Sequence, residues 1–353
     1  TMRLKNALRR GVAAAVIAGI VVSSGIPAYA DRWDIADGDI TVKAGDEGTN
    51  RVTQGETTKE DTDTVITGES KEYTVTIDTS GGNVDVTFDD LKIDVSGRDE
   101  GNAAVTVRGD HDATIELDGD NKLKSGGGSA GLEKNGYESS GTLTIKDDKG
   151  KDGSLTAEGG DGGAGIGGGY ESGAGNIEIT GGTVKAVGGA GAAGIGGGVY
   201  GTGHDIEISG GKVSATGGNA NKNLDSSRPG AAGIGDGAGT GKGEIDPNAP
   251  SNPNHIYISG DAEVEAKAGA STGGKTAAIG GSYGEVPTED LSDDEHKVTG
   301  GSLTRYDSAG KKMEDYSYDR RTPSQWEQPD DSENDDEDDA PSVQVGEVPD
   351  RVK

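Results

Sequence analysis

The 353-residue chain carries 63 acidic against 33 basic residues, a formal net charge of −30, with 65 glycines and no cysteine. That charge repels phosphate backbones and excludes nucleic acid as a partner, and without cysteine no disulfide can brace the fold. One Phe and 30% hydrophobic residues are too few for a wide globular core; they suit a thin core in a quasi-one-dimensional architecture.

In chain order, residues 1–30 read as an export signal. Arg3, Lys5, Arg9 and Arg10 form a basic head, an apolar stretch runs from Gly11 to Ile26, and Ala28-Tyr29-Ala30 offers the small residues that signal peptidase reads. The apolar stretch is shorter than the ~20 residues a spanning helix needs. The expectation is therefore an extracellular protein, free or held at the cell surface, with no membrane span after cleavage. All the charge in this segment is basic, so the rest of the chain is more acidic still.

Residues 31–83 are expected to form an N-terminal cap and the first strands. Alternating segments VDVTF (84–88), LKIDV (91–95), AVTVR (104–108) and ATIEL (113–117) come next as strand candidates. Then a repeat appears. AGIGGGYESGAGNIEITGGTVKAVGG (164–189) matches AGIGGGVYGTGHDIEISGGKVSATGG (193–218), and Ile166/Ile195, Ile177/Ile206 and Val184/Val213 are all 29 residues apart. Looser copies start near 130, 231 and 277. Each unit holds two short strands and a glycine-rich arm. Val184 and Ala186 alternate onto one face, as do Val213/Ala215, Val264/Ala266 and Leu155/Ala157. If each unit is one coil, these residues stack about 4.8 Å apart. The Gly-Gly after each strand permits a tight corner.

The fold expected is all-β: a right-handed parallel β-helix of ~29-residue coils over residues 84–310. An antiparallel sandwich would not return the same order every coil. A nine-residue calcium-roll period is missing, and glycine does not recur at every third position as in collagen. Residues 311–353, with an acidic run from Glu327 to Asp339 and four prolines, are expected to be a disordered tail.

Three features are candidates for function. Tyr137, Tyr170, Tyr200 and Tyr283 lie four or five residues after Leu132, Ile166, Ile195 and Ile279, placing a ring near the same corner of four coils. Such rings would serve either as a platform for sugar rings or as a cover for the corner. Asp147, Asp148 and Asp152 crowd the insertion DDKGKDG, and Asp290, Asp293, Asp294 and Glu295 another; acidic loops can supply the oxygens calcium needs, which makes Ca2+ the candidate cofactor. Insertions at 219–230, 238–254 and 284–295 could build a binding face on one side. His204, His255 and His296 fall at offset positions of successive coils, and a one-residue offset in a strand reverses the face. They are thus not expected to converge on a metal. Basic residues such as Lys185 and Lys212 look scattered. No Cys nucleophile and no HExxH occurs, and no enzyme is expected.

The AGIGGG, NIEITGG and TVKAVGG segments resemble glycine-rich repeats common in secreted and surface proteins of Gram-positive bacteria. Together with DATIELDGDNKLKSG (112–126) and TLTIKDDKGKDGSLTAEGG (142–160), they are similar to the bacterial carbohydrate-binding domain family with a pectate-lyase-like β-helix, over roughly residues 60–305. The resemblance implies non-catalytic binding of a polysaccharide or surface glycan, with calcium as a possible participant. It assigns no ligand residue. The acidic tail departs from the family pattern. A structural or adhesive solenoid is the alternative reading, and a polysaccharide lyase the third, since the fold hosts all three.

Overall fold

The computed structural model describes residues 31–46, 48–98, 101–150, 152–220, 230–239, 255–271, 276–281 and 296–313. Residues 1–30, the residues from 314 onward, Asp290 to Glu295, and Tyr283 lie outside them. Apart from one 3-10 turn (Ile35–Asp37), every regular element described is a strand.

The strands wind into a parallel β-helix with three faces. A regular coil contributes Ile177–Ile179 to the first face, Thr183–Val187 to the second and Ile195–Gly196 to the third. Each strand pairs in parallel with its equivalent one coil on: Ile177 with Ile206, Val184 with Val213, Ile195 with Ile234. The third strand is the one the sequence pattern hides, because two residues inside a glycine arm show no alternation. It recurs as Ile166–Gly167, Ile195–Gly196, Ile234–Gly235 and Ile279–Gly280, paired residue for residue.

Inside, like stacks on like. Leu155, Val184, Val213, Val264 and Leu303 form one column. Leu132, Ile166, Ile195, Ile234 and Ile279 form another. All are essentially buried, and burial of each such side chain contributes about 1.5–3 kcal/mol. The corner between first and second faces turns at Gly182 (φ +82°), Gly211 (+78°) and Gly260 (+60°), a left-handed conformation that a Cβ opposes.

The ladder starts earlier than residue 84. Thr64–Ser70 pairs in parallel with the long strand Val84–Asp94, Arg32–Asp34 pairs with Thr64–Ser70, and Ile40–Ala44 pairs with Val75–Asp78. The cap proper is the antiparallel hairpin Asn50–Gln54/Thr57–Asp61, added beside Ile40–Ala44. Its outer strand is mostly exposed and carries Lys59 and Glu60, the kind of charged edge that discourages further pairing. Trp33 closes the core below it, donating its indole N–H to Asp61 Oδ2 at 2.8 Å.

The strand Val84–Asp94 bends at Asp90 (φ +53°) and serves two faces at once. Val84–Asp89 pairs with Ala113–Asp118 on the first, and Lys92–Asp94 with Lys122–Lys124 on the second.

Candidate functional site

The three candidate tyrosines that are described do not form one ladder. Register places Tyr170 level with Val199 and Ala238, since the three backbone N–H groups donate to Gly128, Gly162 and Gly191 in turn. Tyr200 instead matches Glu171, and both adopt left-handed φ (+66° and +58°). Tyr137 lies further round, because Gly136 already donates to the Gly173 carbonyl. The Tyr170 and Tyr200 rings meet edge-on, 5.8 Å apart at 84°. Tyr137 is 74% exposed. A flat platform needs coplanar faces, so the expected row is replaced by one self-packed pair and one separate ring. A four-versus-five-residue offset, treated as equivalent in the sequence, is a change of row in the structure.

The DDKGKDG insertion folds back onto its own coil. The N–H groups of Asp148 and Lys149 donate to Glu116 Oε1 at 2.8 and 2.7 Å, over a carboxylate that is nearly fully buried. Asp148 pairs with Lys146 at 2.7 Å, and Asp147 Oδ2 accepts from Gly153 N–H. Asp152 remains exposed. The loop thus turns N–H donors inward, the opposite polarity to that a cation needs. Among the described residues, no group of three or more His, Asp or Glu is arranged to hold a metal ion.

Two histidines meet at one carboxylate, although the strand offset alone would set them on opposite faces. His204 Nδ1 lies 2.8 Å and His255 Nδ1 3.1 Å from the two oxygens of Asp205. The alternation rule fails because these residues precede the strands: Asp205 and His255 sit in left-handed turns (φ +50° and +43°). The side chain of His296 lies outside the described residues. Burial pushes the Asp205 carboxyl up, but its hydrogen bonds to His204 and His255 outweigh that and hold it below the ordinary Asp value. The associated stability is therefore present above the unfolded-state value and lost as pH falls through the lower folded one. A carboxyl-carbon NMR titration should show Asp205 ionising below the usual range, and moving upward in the His204→Ala/His255→Ala double variant. An unmoved midpoint would disprove the shared carboxylate.

A broad concavity lies on the outer side of the second face. Lys92, Lys122, Thr156 and Lys185 occupy one outward row in direct register. The next row runs Asp94, Lys124, Glu158, Val187, Thr216, Lys267. Over their N-terminal part opens a hollow of about 750 Å³, to which Lys71 also contributes. A second of about 370 Å³ continues over Val187, Thr216 and Lys267, so the strand Thr183–Val187 borders both. Five lysines and three acids line the first hollow, a positive balance in a strongly negative chain.

The acids are engaged. Glu69 pairs with Lys92 at 3.1 Å, Glu158 with Lys124 at 3.7 Å, and Asp94 accepts from Ser96. Lys185 makes no ion pair among the described residues. The sequence signal for this cluster was present but unread: LKID, NKLK and TVKA each carry Lys at the same outward position. Strand register also sets Lys212 opposite Thr183, two places from Lys185 and on the same side of the sheet.

A family model described as a β-helix repeat matches residues 151–170, 177–199 and 206–238. These are the coils with the most regular pairing, and the match supports a solenoid of parallel β-helix repeats as the class of this protein. No curated protein and no solved structure matches the chain.

Proposed function

We propose that the protein is a secreted, non-catalytic solenoid that binds polysaccharide along its second face. One observation carries this reading: the two hollows share a strand and run along the long axis, which suits a linear polymer better than a compact ligand. Coils recur about every 4.8 Å, close to the length of one sugar ring in a chain, so equivalent side chains can meet successive residues. Secretion rests on the residue pattern of positions 1–30. Binding rather than lyase chemistry is favoured because the acids of the groove are taken up by lysines and Ser96, leaving no carboxylate set beside a free basic group.

A second reading, an adhesive or structural solenoid, draws on the Tyr170–Tyr200 pair, which packs on itself as a corner cover would.

Retention of the exported chain on neutral and acidic polysaccharides, with calcium or with chelator, separates the two. Lys122→Ala/Lys185→Ala should lower retention at least tenfold, while Tyr170→Ala leaves it within about twofold. Loss in the tyrosine variant instead would move the site to that corner, and calcium dependence would return attention to the acidic loops. A folded chain held by no glycan would leave the adhesive reading standing.

A further inference from the structure

The groove has a candidate occupant within the chain itself. We propose that the acidic run from Glu327 to Asp339, which lies outside the described residues, docks on the lysine groove of the second face and shields it from external polyanions. The inference stands whether or not a glycan also binds there.

Charge is the first argument. Lys92 and Lys122 are direct cross-strand neighbours, and like charges placed opposite one another are destabilising. Their present partners, Glu69 and Asp120, are exposed pairs of the kind that contributes at most about 1 kcal/mol, so they can yield to a denser anion. The run from 327 to 339 offers nine carboxylates in 13 residues and no basic group.

Placement is the second. The last strand, Ser302–Tyr306, belongs to the second face. Beyond it the chain turns back, with Tyr306 bridged to Lys312, and Ser308, Ala309 and Gly310 form part of the wall of the second hollow. The chain is thereby delivered to the end of the same groove.

Reach is the third. Lys185 lies three strands from Ser302–Tyr306 and Lys92 six, or about 14 and 29 Å at 4.8 Å per strand. The 14 residues from Met313 to Glu327 can span up to about 46 Å, so the run can cover the whole lysine row. Tethering raises the local concentration of the run to the millimolar range, which compensates for weak individual contacts.

Carbodiimide cross-linking of the full chain tests this, using a mixture of isotope-labelled and unlabelled copies read by mass spectrometry. Links within one copy should join carboxylates of 327–339 to Lys92, Lys122, Lys124 or Lys185. Their yield should fall at least fivefold at high salt, where screening is strong. The built-in Lys43–Asp78 pair, outside the groove, serves as the positive control for folded protein. Links spread equally to Lys59 and Lys149, both outside the groove, would overturn the proposal, as would no links from the run. Links mainly between labelled and unlabelled copies would overturn it in favour of a second copy as the occupant.

Discussion

Gly189→Ala should destabilise the solenoid by at least about 3 kcal/mol, the upper end of what overpacking usually costs. A Cβ built there would lie 1.7 Å from the Gly160 carbonyl oxygen of the coil before. Gly218 stands in the same relation to Gly189, and Gly160 and Gly269 meet Gly126 and Gly218 at 1.9 Å. The glycine arm is thus a column of backbones in contact, and the requirement is closeness: φ at Gly189 is not in the left-handed region. The clash falls on backbone that is itself hydrogen-bonded to neighbouring coils, since Gly189 N–H donates to Gly163 and Gly218 N–H to Ala192. Neither side can step aside alone. Gly81→Ala is the matched control, because a methyl group there would meet nothing within 4 Å and its φ is ordinary; its effect should stay within about 0.5 kcal/mol. Denaturant melts of both variants decide the matter, and equal midpoints would refute the stacked-backbone account.

The second large effect is a dependence on pH. Lys134 is almost completely buried, donating from Nζ to the carbonyls of Gly175 at 2.8 Å and Ser139 at 3.2 Å. Burial lowers its pKa from 10.5 to about 8, against a smaller opposing pull from Asp112. Between those two values the unfolded chain holds a proton that the folded chain has shed, so stability should rise with pH across the interval. At 1.36 kcal/mol per unit the rise is roughly 3 kcal/mol. Below pH 8 the ammonium is charged in both states and the full burial penalty applies. Lys134→Met should flatten the rise, as read from denaturation midpoints at pH 7.5 and 10. A variant that keeps the wild-type slope would assign the effect to other groups.

The fold was legible because a solenoid writes its geometry into the sequence as a period. Ile166/Ile195 and Val184/Val213 repeat one spacing, and the parallel ladders pair those residues directly. The candidate sites were less legible, for reasons that differ from residue to residue. Tyr170 and Tyr200 look equivalent in a loose alignment, but one residue of offset in a glycine arm selects a different row. His204 and His255 were assigned strand behaviour although they precede the strands, where alternation does not apply. The acidic loop at 147–152 suggested a cation because composition shows carboxylates and cannot show that backbone N–H groups face Glu116. Lys92, Lys122 and Lys185 passed as scattered because their spacings, 30 and 63 residues, are not single multiples of the regular period. Only cross-strand register, after the insertion at 147–153, aligns them.

Pairing confined to neighbouring coils also sets how the molecule would respond to a pull along its axis. The Ile177–Ile179 strand is bonded to Leu143–Lys146 and Ile206–Ile208 and to no others, so tension reaches each coil only through the next. The expected response is peeling from an end, one coil at a time. Each step would surrender about 4.8 Å of height and release a contour of roughly 100 Å from a 29-residue turn. Such a body yields gradually under load and lengthens some twentyfold before it is spent, a property of a tether as much as of a scaffold.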